Sequence, residues 1–181
     1  MPKSVTTPLD DSVIASLHAG DEVLISGIIY TARDAAHKKL CALIAEGKDL
    51  PVDLRGQIIY FAGPAPTPPG RVIGSVGPTT SYRMDDYSPI LIAKAGLKGM
   101  IGKGQRNSRV IDAMREFGAV YFAAIGGAGA LIAQTVVSSE TVAYPELGPE
   151  AILRLRVENF PAIVATDAQG NDLYKALAGK S

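Results

Sequence analysis

Cysteine is nearly absent from this 181-residue chain, and Cys41 is its single instance. One thiol cannot close an internal disulfide or supply the several thiolates of an iron–sulfur cluster, so any such centre would find its ligands on another polypeptide. Charge of one sign is equally lacking, because eighteen Lys and Arg balance eighteen Asp and Glu. A chain without net charge has no broad field to draw in a polyanion, and no nucleic acid partner is expected. Uninterrupted apolar length is missing as well. The run YFAAIGGAGALIAQTVVSS is broken by glycines and ends in polar residues, whereas a spanning helix needs about 20 mainly apolar positions. No membrane association is expected. The N-terminal stretch MPKSVTTPLDDS has no apolar core after its lysine, unlike a secretory leader, and a cytoplasmic location is the expectation.

What is present is globular composition: 47 % apolar and 20 % charged residues, with 19 Gly and 12 Pro that imply many tight turns. One domain over residues 1–181 is expected, since domains run to roughly 100–200 residues. EVLISGIIYTA, rich in branched side chains, reads as one or two strands. In ARDAAHKKLCALIAEG, Ala36, Leu40, Leu43 and Ile44 recur at helical spacing and Gly47 supplies a stop. QIIYFAG reads as a short buried strand, PAPTPPG as a loop and RVIGSV as a further strand. YSPILIAKAGL (helix), KGMIGKG (strand) and SRVIDAMREFG follow, the last an amphipathic helix with Val110, Met114 and Phe117 on one side. AVYFAAIGG and GALIAQTV continue the strand and helix alternation. That alternation, from about residue 57 to 135, predicts an α/β fold with a mostly parallel sheet and crossover helices. The tail differs: LRLRVENF alternates apolar and polar residues, and PAIVATDAQGNDLY reads as a strand with a turn at Gly170-Asn171, predicting a second, partly antiparallel sheet.

Ligands of open α/β sheets gather at the carboxyl ends of strands, which singles out four positions. Arg33 follows the first strand; Thr79, Thr80, Ser81 and Arg83 follow RVIGSV; Lys103 follows KGMI; Gly126 and Gly127 follow AVYFAAI. Thr31-Ala-Arg-Asp34 fits a helix-start pattern that would put Arg33 in the first turn, where guanidinium and backbone N–H groups suit a carboxylate. His37, four residues on, shares that face and is a candidate either to orient its neighbours or to act as an acid–base group. The hydroxyls of Thr79, Thr80 and Ser81 are short donors for an anionic oxygen, or caps for the helix that follows. Lys103 stands between two glycines but misses the phosphate-loop pattern, and IGGAGALIA has Ile132 where a dinucleotide fingerprint wants Gly or Ala.

Taken together, TARDAAHKKL, GPTTSYRMDDY, MIGKGQRNS and YFAAIGGAGALIAQ resemble the beta subunit, or C-terminal domain, of class I fumarases and L-tartrate dehydratases. The resemblance covers nearly the whole chain. It implies a swivelling β/β/α three-layer fold and a partner alpha subunit that carries a four-iron four-sulfur (4Fe-4S) cluster, in a hetero-oligomer such as α2β2. It also implies that Arg33, Thr79, Arg83 and Lys103 contact a small dicarboxylate, with Thr79 as the base at carbon 3. The chemistry so implied is hydro-lyase: fumarate hydratase in the first instance, L-tartrate dehydratase as the alternative. A stand-alone module binding an organic acid or phosphate is the reading from a different class. Two residues depart from the pattern. Tyr82 stands where glycine is common, and Gln105 where asparagine is.

Overall fold

The computed structural model describes residues 1–124 and 128–180. Seven strands and six α-helices follow in the order β1 (Lys3–Thr6), α1 (Asp11–Ser16), β2 (Glu22–Thr31), α2 (Asp34–Ala45), β3 (Ile58–Tyr60), α3 (Ser88–Ala95), β4 (Gly99–Gly102), α4 (Ser108–Phe117), β5 (Val120–Ala123), α5 (Gly129–Ala133), β6 (Val136–Ala143), β7 (Ile152–Thr166) and α6 (Leu173–Ala178). Two 3₁₀ turns, Ser81–Met84 and Pro145–Glu150, lie between them. β1 to β5 run parallel to their neighbours, as the βα alternation requires.

The antiparallel part departs from expectation. β6 and β7 do not form a separate second sheet but are hydrogen-bonded into the first. β7 pairs with β2 along one edge; its other edge takes β6 and then β5. The order β2-β3-β4-β5-β7 therefore closes on itself as a five-stranded mixed barrel, with β1 and β6 as outer strands. A fifteen-residue strand can serve three partners because it bends. The register of β7 on β2 shifts between the Ile25–Phe160 and Gly27–Val157 pairs, inserting one extra residue in β7. Gly27 (φ 114°) and Asn159 (φ 55°) take left-handed conformations there, and the Asn159 N–H donates to Ser26 Oγ at 3.0 Å. A β-carbon at Gly27 would run into the Thr7 hydroxyl.

Alternating strand residues feed two apolar clusters. Ile59, Phe61, Met100 and Tyr121 face α2, α3 and α4, meeting Leu40, Leu91 and Met114. Ile58, Tyr60, Ile101 and Phe122 face the other way, toward Ile25, Leu155 and Phe160. Phe117 stays 41 % exposed rather than joining Val110 and Met114 in the core. The expected strand RVIGSV is absent. Its Gly74 is pressed against the carbonyls of Ala65 and Pro66, and its bonds go singly to several partners: Ser75 O accepts from Ala65 N–H and Val76 N–H donates to Gly129 O. No helix among the described residues is long and apolar enough to cross a membrane.

Candidate functional site at the carboxyl ends of the parallel strands

β2, β3, β4 and β5 end level with one another. Thr31 pairs with Tyr60, Tyr60 with Ile101, and Ile101 with Phe122, and the ladder runs one step further through Ala32 N–H to Tyr60 O, Phe61 N–H to Ile101 O, and Ala124 N–H to Gly102 O. The next residues of each chain form one rim. Arg33 leaves β2 and Lys103 leaves β4. The segment Gly77–Met84 is laid across the ends of β3 and β4: Thr79 N–H donates to Phe61 O at 2.7 Å, Ser81 N–H to Lys103 O at 2.9 Å, and Thr80 forms a parallel bridge with Lys103. Arg83 follows in the 3₁₀ turn and is exposed. Segments well separated in sequence are thus joined by backbone hydrogen bonds at one end of the barrel. Gly126 and Gly127 lie outside the described residues.

The rim carries three cations and, at the start of α2, the carboxylates of Asp34 and Glu150. None of the side chains of Arg33, Arg83 and Lys103 is ion-paired among the described residues. Arg33 Nε is buried without a hydrogen-bond partner, its guanidinium lying along Gly63, where a β-carbon would stand 3.2 Å from Cδ and 3.4 Å from Nη1. A desolvated donor with no acceptor is costly unless something brings one. Among the described residues the hydroxyls of Thr79 and Thr80 make no hydrogen bond, and Thr80 precedes its turn without a side-chain cap. Ser81 differs, with its hydroxyl committed to Tyr121 Oη at 2.8 Å.

The helix start at Arg33 is not the one its sequence pattern suggests. Thr31 remains the last residue of β2, its Oγ1 accepting from Leu153 N–H at 3.2 Å, and Arg33 itself is the residue before the first turn, with no side-chain cap. His37 lies beneath it, fully buried. Its Nδ1 donates to Arg33 O at 2.8 Å, and its ring packs edge-on against Phe61 with centroids 5.4 Å apart. Burial, more than the nearby Arg106 charge, pushes its pKa down to about 4, so the ring is neutral at physiological pH. With Nδ1 protonated, Nε2 is a free acceptor, and it meets no donor.

Several supports of the rim carry no sequence motif. Tyr121 Oη reaches both Ser81 and Gly104 O, the latter at 2.8 Å, and Tyr174 Oη in α6 accepts from Gly104 N–H at 3.1 Å. Glu150 Oε1 accepts from Ala35 N–H at 3.4 Å. A tyrosine hydroxyl inside the otherwise apolar strand AVYFAA was the one readable signal, since such a group must find a partner when buried.

Residues 4–177 match the family described as "Fumarase C-terminus". The chain belongs to this family. The fumarase C-terminus relatives include the anaerobic class I fumarate hydratase of Escherichia coli K12, 45 % identical over 86 % of this chain and 29 % of that protein. Fumarate hydratase 2 of Leishmania major is 41 % identical over 88 % of the chain and 28 % of its own length. A Methanocaldococcus jannaschii protein assigned as L(+)-tartrate dehydratase subunit beta is 40 % identical over 92 % of the chain and 88 % of that protein. The chain therefore spans less than a third of these fumarate hydratases, but nearly the whole of the protein assigned as a beta subunit.

Proposed function

We propose that residues 1–181 form the dicarboxylate-holding module of a hydro-lyase, working with a cluster-bearing alpha subunit in a hetero-oligomer such as α2β2. Fumarate hydration to (S)-malate is the leading reaction. The observation that carries this reading is the rim itself: Arg33 and Lys103 just past β2 and β4, with Thr79, Thr80 and Arg83 on the segment bonded to the β3 and β4 ends, and among the described residues no ion pair on the three cations and no side-chain hydrogen bond at the two hydroxyls. A guanidinium binds a carboxylate through two parallel hydrogen bonds, and Lys103 adds a compact charge on a glycine-flanked turn.

In this reading Arg33 and Arg83 hold the substrate carboxylates. With Lys103 they stabilise the extra negative charge that spreads into one carboxylate as a proton leaves the adjacent carbon. Thr80 donates to a carboxylate oxygen. Thr79 acts as the base for the proton at carbon 3, the surrounding cations offsetting the intrinsic cost of an alkoxide. Neutral His37 positions Arg33 through the carbonyl it binds; an imidazole with no exposed surface is better suited to that than to exchanging protons with substrate.

A 4Fe-4S cluster would supply a Lewis acid for the departing hydroxyl. This chain's residues do not fit its ligation: Cys41 is alone, half-buried in α2, and desolvation raises its thiol pKa to about 11. No group of three or more His, Cys, Asp or Glu able to hold a metal occurs among the described residues.

L-tartrate dehydration is the second reading, favoured by coverage of most of the assigned tartrate dehydratase beta subunit. Mixing the chain anaerobically with its alpha partner and assaying fumarate, malate and L-tartrate decides between the two. Turnover of malate and fumarate supports the first reading, preference for tartrate the second, and turnover of none overturns both. Tight binding of a dicarboxylate or phosphate by the chain alone, measured by calorimetry, would favour a stand-alone binding module instead.

A further inference from the structure

Beneath the rim, between its two cationic segments, lies an ion pair taken almost wholly out of water. Arg106 is 5 % exposed and Asp85 7 %. The Arg106 guanidinium sits 5.1 Å from the Phe61 ring centroid and 5.0 Å from that of Tyr121. Its Nε donates to Asp85 Oδ1 at 2.7 Å, Nη2 to Ser88 Oγ at 2.6 Å, and Nη1 to Met100 Sδ at 3.2 Å. The second oxygen of Asp85 accepts from Asn107 N–H at 3.0 Å. These partners come from separate parts of the fold. Asp85 closes the turn that carries Arg83, Ser88 opens α3, Met100 lies in β4 three residues before Lys103, and the two rings belong to the β3 end and β5.

Stability alone does not account for such a pair, because well-packed apolar residues of the same volume commonly stabilise a core as well or better. What a guanidinium adds is direction: a planar fork bonds several elements at once and leaves each of them one position. We propose that Arg106 is a positioning residue of the rim, locking the Thr79–Arg83 segment to the Lys103 loop so that cations from both engage one dicarboxylate together. The inference rests on the dicarboxylate reading given above. Arg106 touches no ligand and acts through the backbone it holds.

Arg106→Lys keeps the charge but cannot reach Asp85, Ser88 and Met100 together; Asp85→Asn keeps the shape and removes the charge. Both variants of the full chain are examined by hydrogen–deuterium exchange, and by turnover with the alpha partner well below the unfolding midpoint. Exchange is expected to rise in residues 77–83 and 101–107 while β2 and β7 stay protected. Displacement of binding groups by about 1 Å lowers rates on the order of 10²-fold, so a loss of that order in kcat/KM per folded molecule is expected. The double variant should lose little more than either single one. Unchanged exchange in both segments, or wild-type kcat/KM in folded Arg106→Lys, overturns the proposal. Should that variant not fold, Asp85→Asn decides by the same two readouts. The exchange readout needs no substrate, so an inactive wild-type complex whose variants still loosen both segments supports the lock and removes only the dicarboxylate reading.

Discussion

Arg83 is exposed, has no ion pair among the described residues, and is carried by a turn anchored by the Ser81 N–H and the Asp85 carboxylate rather than by its own side chain. Replacing it should therefore leave folding alone and strike recognition. Arg83→Lys keeps the charge and loses the fork, and activity with the alpha partner is expected to fall on the order of 10²-fold with an unchanged thermal midpoint; near-normal turnover would contradict the assignment. His37 makes the opposite case. Its folded pKa of about 4 lies below the ordinary value near 6.5. Between those limits the unfolded chain binds a proton that the folded chain refuses, so stability is full above pH 6.5 and declines as pH falls toward 4, by on the order of 2–3 kcal/mol. The depressed carboxyls Asp10, Asp21 and Asp53 lose their contributions only below this window. Urea midpoints at pH 7 and pH 4.5 should thus differ less in His37→Gln than in wild type, and equal differences would remove His37 as the cause. Arg33, Thr79, Arg83 and Lys103 could be picked out in sequence because each sits beside a turn signal. Arg106 could not, since an arginine before a helix reads as surface until two aromatic rings are folded around it.

At the scale of elements, the rim depends on close approach. β4 passes under the Ser81 turn at Gly102, where a β-carbon would collide with Ser81 Oγ and stand 2.8 Å from Phe61 Cδ2. Gly102→Ala should push Ser81 off Tyr121, lowering stability by about 1–3 kcal/mol, a shift readable in the denaturant midpoint; a variant as stable as wild type would show that the turn yields freely. Helices α2 and α4 were legible from period and stop signals, because an amphipathic face and a following glycine act locally. The failed reading of RVIGSV has an equally local cause seen from the other side. Branched residues favour extended backbone, but extended backbone becomes a strand only where a neighbour offers a ladder, and here the neighbours are isolated carbonyls. Thr31 misled in the same way: its hydroxyl could cap a helix or meet Leu153, and β7 supplied Leu153.

For the whole molecule the deciding event is the return of β7 across β2. Phe160 marks the place, fully buried beside the bulge and edge-on to Tyr60 with centroids 5.1 Å apart. Phe160→Ala should cost about 3–5 kcal/mol, a large share of the roughly 5–15 kcal/mol available to a domain, and appear as one cooperative transition at lower denaturant; a loss below about 1 kcal/mol would mean the barrel closes without it. The amino-acid order was enough for the parallel strands and their crossover helices, and for the cationic residues at the strand ends, because periodicity, turn chemistry and charge are properties of short segments. Barrel closure, the buried Arg106–Asp85 lock and the burial of His37 were not contained in any segment. Each depends on hydrogen-bonding groups and apolar surfaces more than fifteen residues apart, which acquire partners only once the chain has come together.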